Sequence, residues 1–431
     1  MRESEGKIMC RGTIGRGLFQ FGVVVGLIFS LVYTGSSAAS KPYAGTTIKY
    51  MADAEPFSDY IRKEIIPAFT TETGIKVEMD TTDYVKLHDK QVLELIAGKF
   101  DVYQIDQVWV INYAKSKWLE PLDSYISKHI IPTENYYPSL MKIGNVEGKQ
   151  YVLPLSANPV DYYYNKKMFD AAGMKPPDTW DGVLEDAKKF TKAPDLWGIG
   201  IRGERGNPIT WTFLPIFWSF GGTVFDDKMH PIYNNKQGVA AVEFFKKLNQ
   251  YSPPGWHSAQ DVAGLMQQGK VAQLTLMSVY NSSMDDPAQS KVVGDIVITE
   301  MPKGPTGKRS SVLGLWTTGV AAHSAKKGAA VAFLAYLSRF DVAKKMAFGG
   351  TVAAAMPKIF TEPGAPKYYP VVGRVLNYAQ APPLIPESEQ WFLSIGTALQ
   401  EALSGAKTPQ QAMDDSVSQV SEILKKAGYY K

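Results

Sequence analysis

The side chains that most often do chemistry are scattered in this chain. His88, His129, His230, His257 and His323 lie far apart. No two have the H-E-x-x-H spacing that puts a pair of imidazoles on one helix face for zinc. They read as separate surface or packing residues, and no metal site is expected. The single cysteine, Cys10, excludes a disulfide scaffold and a cysteine-based zinc or iron–sulfur centre. There is no G-x-S-x-G, the elbow that exposes a nucleophilic serine. Gly304-Pro305-Thr306-Gly307-Lys308-Arg309 has the outline of a phosphate loop. It lacks the first glycine at the right spacing, and Arg309 stands where a serine or threonine would bind magnesium. Asn281-Ser282-Ser283 matches a glycosylation sequon, a pattern short enough to arise often by chance. Carboxylates are numerous, and a glycosidase needs two of them about 5 Å apart or somewhat further. No sequence feature pairs them, so no catalytic residue, enzyme activity or cofactor is expected.

Aromatic side chains beside small polar ones are the stronger signal. The chain has 9 Trp. Asp106-Gln107-Val108-Trp109 follows a predicted strand. Asn158-Pro159-Val160-Asp161-Tyr162-Tyr163-Tyr164-Asn165 is dense in acceptors and rings. Arg202-Gly203-Glu204-Arg205-Gly206 leads to Trp211, then to Trp218-Ser219-Phe220-Gly221-Gly222, and Gly314-Leu315-Trp316 comes late. A polyhydroxylated ligand suits this mixture. Its C–H faces lie on aromatic rings. Its vicinal hydroxyls match the paired oxygens of Asp, the amide of Asn or Gln, and the fork of Arg. Any one of these Trp alone would read as core. Trp180, beside a helix cap at Thr179, and Trp391, in the stripe Phe392, Ile395, Leu399, are expected to be structural.

The elements that must position these residues alternate. Strand signals at Ile48–Met51, Ile75–Met79 and Phe100–Asp106 are separated by helical spacing at Ile61, Ile65 and Phe69 and at Val92, Leu95 and Ile96. Strands separated by helices imply crossovers and a mostly parallel sheet. Pro67 should kink or divide its helix, and Gly74 and Gly98 are fitting stops. Later helices read from Ala241, Phe245 and Leu248 and from Phe333, Tyr336 and Leu337. Thr408-Pro409-Gln410-Gln411 is a capping box ahead of the stripe Met413, Val417, Val420, Leu424. Pro–Gly clusters such as Ser252-Pro253-Pro254-Gly255 are turns rather than linkers.

At 431 residues, with 45% hydrophobic and 20% charged composition, the chain is globular and long enough for two domains. A net charge of +4 makes nucleic acid an unsuitable main partner. Lys7, Arg11 and Arg16 precede an apolar stretch, Leu18 to Tyr33, and then small residues, Thr34 to Ala39. That order reads as a secretory signal, cleaved after Ala38 or Ala39. Four basic and two acidic residues would leave with it, lowering the net charge from +4 to +2.

Several segments, taken in order, resemble one family. Ala68-Phe69-Thr70-Thr71-Glu72-Thr73-Gly74-Ile75-Lys76-Val77 is similar to its F-x-x-x-T-G-I-x-V. Asp101 to Asp106, then Trp118-Leu119-Glu120-Pro121-Leu122-Asp123, is similar to its D-V … L-x-P-L. Gly148-Lys149-Gln150-Tyr151-Val152-Leu153-Pro154 and Tyr163-Tyr164-Asn165-Lys166-Lys167-Met168-Phe169 match G-K-x-Y-x-x-P … Y-Y-N-K-x-x-F. Pro177-Asp178-Thr179-Trp180-Asp181 and Leu403-Ser404-Gly405-Ala406-Lys407-Thr408-Pro409 complete the set. The chain thus resembles the extracellular solute-binding proteins of ABC transporters, family 1, over nearly its whole mature length. Asp286 to Gly294 and Phe348-Gly349-Gly350-Thr351 look like the branch that carries sugar alcohols and simple sugars. The stretch Thr351 to Pro357 departs from that branch's Arg- and Ser-containing pattern.

The resemblance implies an α/β, two-lobe periplasmic-binding-protein fold of type II. Each lobe would be a mostly parallel sheet flanked by helices, with hinge crossovers near Leu155–Val160, Trp316–Gly319 and Ala347–Ala353. Expected boundaries are 1–39 for the signal, 46–157 plus 318–348 for the first lobe, and 158–317 plus 349–431 for the second. It implies a periplasmic monomer that captures a sugar or sugar alcohol and hands it to an ABC permease. Residue type and position at strand ends or crossovers nominate Asp53, Glu55, Asp106, Gln107 and Trp109 in the first lobe. In the second they nominate Asn158, Asp161, Tyr162, Arg202, Trp218, Gly221 and Tyr280, with Trp316 at a crossover. The carboxylates keep a polyamine in play, and Tyr136-Tyr137 and Tyr162-Tyr163-Tyr164 keep ferric ion. A secreted glycosidase is the remaining alternative.

Overall fold

The computed structural model describes residues 41–349 and 354–430. The expected signal segment, 1–39, lies outside the described residues, as does the end of the third expected crossover.

The chain opens with β1 (Thr47–Asp53), α1 (Pro56–Tyr60), α2 (Ile66–Thr73), β2 (Lys76–Thr82), α3 (Tyr84–Ala97) and β3 (Val102–Asp106). β1 pairs in parallel with both β2 and β3. Parallel neighbours need a long crossover, and the intervening helices supply it. Pro67 leaves its helical segment continuous, but Ile61–Ile65 just before it form a π-helical stretch. Proline donates no hydrogen bond and its ring crowds the carbonyl four residues back, so the preceding turn widens. Gly74 (φ 76°) and Gly98 (φ 69°) stop α2 and α3 in the left-handed region.

Short elements follow: α4 (Val110–Lys115), α5 (Asp123–Ser127), α6 (Pro138–Ile143) and the hairpin β4 (Asn145–Val146) and β5 (Lys149–Gln150). They lead into β6 (Val152–Asn165), buried along its whole length. The early part of β6 pairs antiparallel with β9 (Ser311–Val320). The later part pairs antiparallel with β7 (Gln273–Met277) and β8 (Ile296–Thr299). β9 also lies antiparallel to β3 and, at its start, parallel to β10 (Ala379–Gln380). The result is one continuous path, β2-β1-β3-β9-β6-β7. The first two expected crossovers are therefore segments of β6 and β9 themselves. β1, β2 and β3 share one direction. β7 and β8 both oppose β6 and so share another. Within each group the strands are co-directional, and the antiparallel ladders belong to the strands that cross between them. The register shifts between Pro154 and Ser156. A proline cannot donate to a ladder, so an irregularity there is expected.

Between β6 and β7 run α7 (Lys166–Ala171), α8 (Trp180–Phe190), α9 (Asn207–Ser219), α10 (Lys236–Asn249) and α11 (Ala259–Gln267). After β9 come α12 (Lys327–Leu337), α13 (Phe340–Gly349), α14 (Tyr369–Leu376), α15 (Ser388–Ser404) and α16 (Pro409–Lys426). α12 returns to the group of β1 and α2: the Phe333 ring packs 5.6 Å from Tyr50 and 5.0 Å from Phe69. α15 packs on α9 and α10, and α16 on α15 and α10; there Trp391 meets Phe225 edge-on and the Tyr233 hydroxyl lies 2.8 Å from Ser416 Oγ. Thr179 accepts from Gly182 N, and Thr408 and Gln411 form the reciprocal capping box. Trp180, Trp391, Met413, Val420 and Leu424 are buried in the core.

Candidate functional site

The ends of the three parallel strands β1, β2 and β3 converge on one cleft. β1 ends at Asp53-Ala54-Glu55, β2 is followed by Asp83-Tyr84 at the start of α3, and β3 ends at Asp106. Opposite them stand Arg202, Glu204, Asn207 and Trp211, with Ser258 to Gln260, Met277 and Tyr280. Asn158 and Gly314-Leu315-Trp316 of the crossing strands form the floor of a cavity of about 400 Å³. Strand ends at a change of direction are where open α/β sheets leave a crevice.

The acidic wall is built from behind by Gln104. Its side-chain oxygen accepts from Asp53 N (3.2 Å) and Ser58 Oγ (3.1 Å), and its amide donates to Glu55 Oε1 (3.3 Å). The Tyr84 hydroxyl donates to Asp106 Oδ2 at 2.9 Å, and Val108 N donates to Oδ1. The Tyr84 ring stacks on Trp109 (5.7 Å) and meets Trp316 edge-on, while the Arg202 guanidinium lies 5.6 Å from its centre. Asn158 accepts from Val279 N and Ser278 Oγ, which pins the Ser278–Tyr280 turn to β6. Gly314 lets Trp211 approach the floor: a Cβ there would sit 2.7 Å from Asn158 O and 2.8 Å from the Trp211 ring. At the rim, Gln260 Nε2 reaches Ala54 O across the cleft at 3.5 Å.

Asp53, Glu55, Asp106 and Arg202 are each 5–7% exposed. Burial pushes the Asp106 carboxyl up to about 7; its bonds from Val108 and Tyr84 oppose the rise. Burial also raises Asp53 and Glu55, and the Asp53 charge adds to the rise at Glu55. Arg202 pulls all three down, but one guanidinium does not offset three buried carboxyls. Around the cavity, Asp53 Oδ1, Arg202 Nε, Asn207 Nδ2 and Trp211 Nε1 are buried and make no hydrogen bond within the chain. Unpaired buried polar atoms are costly, so a cleft holding both acceptors and donors in this state is shaped for a ligand that supplies the missing partners.

The structure brings together Asp53, Glu55, Asp106, Asn158, Arg202, Tyr280 and Trp316 in the lining. Trp109 stands one layer back, behind Tyr84. Gln107 turns away and donates to Leu313 O. Asp161 and Tyr162 lie further along β6, where it pairs with β7 and β8: Asp161 accepts from Asn281, and the Tyr162 hydroxyl donates to Gln273, whose amide bonds Val183 of α8. Trp218 is seven residues beyond Trp211 on α9, about 10 Å further along the helix, outside the lining. Gly221 (φ 87°) sits in the turn after α9, near Thr306. Tyr84, Glu204, Asn207 and Trp211 also line the cavity, although none is among the nominated residues. Tyr84 follows a strand end, and the other three lie in or just after the stretch from Arg202 to Gly206. The contribution of Ser258 to Gln260 has no such signal. Among the described residues no group of three or more His, Cys, Asp or Glu is placed to hold a metal ion. Tyr136, Tyr137 and Tyr162 to Tyr164 lie outside the cavity lining. Asn281 is buried, bonded to Asp161 and Tyr163.

A family model for bacterial extracellular solute-binding proteins matches residues 50–341. A probable amino-acid ABC transporter periplasmic-binding protein of Sinorhizobium fredii is 27% identical over 94% of this chain and 96% of its own length. A mannitol-binding protein of Pseudomonas aeruginosa is 26% identical over 78% of this chain and 82% of its own. The crystal structure of an ABC transporter solute-binding protein from Agrobacterium vitis with bound D-mannitol superposes with a TM-score of 0.81 at 25% identity, covering 90% of this chain and all of that one.

Proposed function

This chain belongs to the bacterial extracellular solute-binding proteins, and from that premise we propose that its cleft captures a sugar or sugar alcohol for the membrane permease of an ABC importer. The observation that carries the ligand class is the set of unpartnered polar atoms, Asp53 Oδ1, Arg202 Nε, Asn207 Nδ2 and Trp211 Nε1, around one cavity walled by Tyr84, Trp211 and Trp316. A hydroxyl both donates and accepts, so a polyol satisfies carboxylate, guanidinium, amide and indole together. Its carbon chain lies on the rings. The mannitol-binding relatives support the same class. The protein carries out no covalent step in this reading: solute binding favours the closed arrangement of the lobes, and the closed form delivers it.

In this reading the lobes are 46–157 with 318–348 and 158–317 with 349–431. The passage of β6 and β9 through both strand groups, and the return of Phe333 to Tyr50, support that division. The protein reaches the periplasm through cleavage of residues 1–39 and works as a monomer.

The test is a thermal-shift screen with D-mannitol, ribitol, D-glucose, maltose, L-amino acids, spermidine and ferric citrate. Solute at 100 times its dissociation constant adds about 2.7 kcal/mol of stability. A shift with a polyol or sugar, recovered unchanged, is the expected result. Arg202 facing carboxylates also suits the two charges of an amino acid, and a shift with amino acids alone would overturn the carbohydrate assignment.

A further inference from the structure

Outside the cavity, side-chain contacts cross between the lobes at Lys344–Glu362 and Phe348–Tyr369, near the third crossover, and another lies behind the aromatic wall. Glu389 lies in the first turn of α15, a helix packed on α9, which carries Asn207 and Trp211. Its carboxylate accepts a hydrogen bond from the Trp109 indole of the first lobe, 280 residues away in sequence. Trp109 is 2% exposed and does not line the cavity. It backs the aromatic wall instead. Its ring stacks on Tyr84, stands 6.2 Å from Trp316, and packs against His88 and Tyr113. Tyr84 in turn holds Asp106 and lies beneath Arg202.

We propose that Glu389 is a positioning residue for solute capture: its bond to the Trp109 indole couples approach of the second lobe to the orientation of the Tyr84–Trp316 wall. The inference rests on the reading of the cleft as a solute trap that closes. The geometry carries it in three ways. The bond joins the first turn of α15 to the residue that opens α4, 280 residues away in sequence. Its donor is part of the layer that fixes Tyr84. A carboxylate removed from water needs a donor, and the indole N–H supplies one only when the lobes are together. Closing therefore satisfies Glu389 and locks the wall in one step, and opening releases both; the bond keeps part of the solute-free population closed, and solute draws the remainder closed.

Small-angle scattering of the solute-free protein and calorimetric titration with D-mannitol test this. Glu389→Ala and Trp109→Phe should each enlarge the solute-free radius of gyration. Each should weaken mannitol binding by about 10-fold, as loss of a charge-assisted bond implies. The double variant should be no more open than either single one, because both remove the same bond. Glu389→Gln retains an acceptor and should restore the compact form and most of the affinity. An unchanged radius in both single variants overturns the proposal. So does a lowered solute-free melting temperature in Glu389→Ala with unchanged radius and affinity, which marks ordinary packing. If the wild type binds no polyol, the carbohydrate reading fails, while the scattering comparison still decides the role of Glu389.

Discussion

Arg202 faces three buried carboxyls, and its Nε has no partner within the chain. Arg202→Ala should weaken solute binding by about 10- to 100-fold, the range expected for a lost charge-assisted hydrogen bond. Arg202→Lys should restore only part, because an ammonium has neither the Nε donor nor the planar fork. Titration calorimetry with the solute found in the screen measures both. Asp106 gives a second prediction. Its carboxyl rises from an ordinary 3.8 to about 7 on burial. The folded state therefore holds a proton that the unfolded chain has released, and the stabilisation this gives is complete below about pH 4 and lost as pH rises through 7. Solute-free melting temperatures should fall between pH 5 and pH 8. Asp106→Asn, which cannot titrate, should lessen that fall and leave the part that Asp53 and Glu55 contribute. A slope identical to the wild type would remove Asp106 as its source.

Among the elements, β9 and α9 meet at a glycine. With Cβ distances of 2.7 and 2.8 Å to Asn158 O and the Trp211 ring, Gly314→Ala must push the strand or the indole aside. The expected outcome is weaker solute binding with Trp211 displaced, visible as a shifted tryptophan emission. Overpacking of this kind costs about 1–3 kcal/mol. At the other end of the molecule, Thr408 caps α16 through the reciprocal bond with Gln411. Thr408→Ala should lower unfolding stability by about 1 kcal/mol and leave solute affinity unchanged, since α16 reaches no cavity residue. Chemical denaturation reads the first and calorimetry the second. The capping box, the stops at Gly74 and Gly98 and the early strands were legible in sequence because they depend on neighbours a few residues apart. The π-helical stretch before Pro67 was legible as a disturbance but not in kind: local sequence shows that a bond is missing, while how the helix absorbs the loss depends on what packs against it.

For the whole molecule, the proposed division has β6 and β9 pass through both lobes, so motion between the lobes would bend them. Solute should shrink the radius of gyration and slow amide exchange at Asn158 and Trp316 together, because both sit where the strands cross and both line the cavity. Exchange slowed on one lobe alone would speak against closure. The site was legible in part for the same topological reason. Strand-end residues such as Asp53, Glu55 and Asp106 were identifiable because open sheets leave their crevice there. Asp161 and Tyr162 were not separable from Asn158, three and four residues before them. Asn158 borders the cavity while Asp161 and Tyr162 face Asn281 and Gln273, and only the fold shows where along β6 the cavity ends.

Sequence by itself determined the alternation of strands and helices, the caps, the absence of a catalytic motif and the aromatic–polar chemistry of the site. These follow from residue type and spacing over a few turns of chain. Tertiary structure alone decided which polar atoms share one cavity, that Gln104 braces the acidic wall, and that Glu389 meets Trp109. Those pairings join segments tens to hundreds of residues apart. The strand order that brings them together is set by burial of both sheet faces, and no local pattern records it.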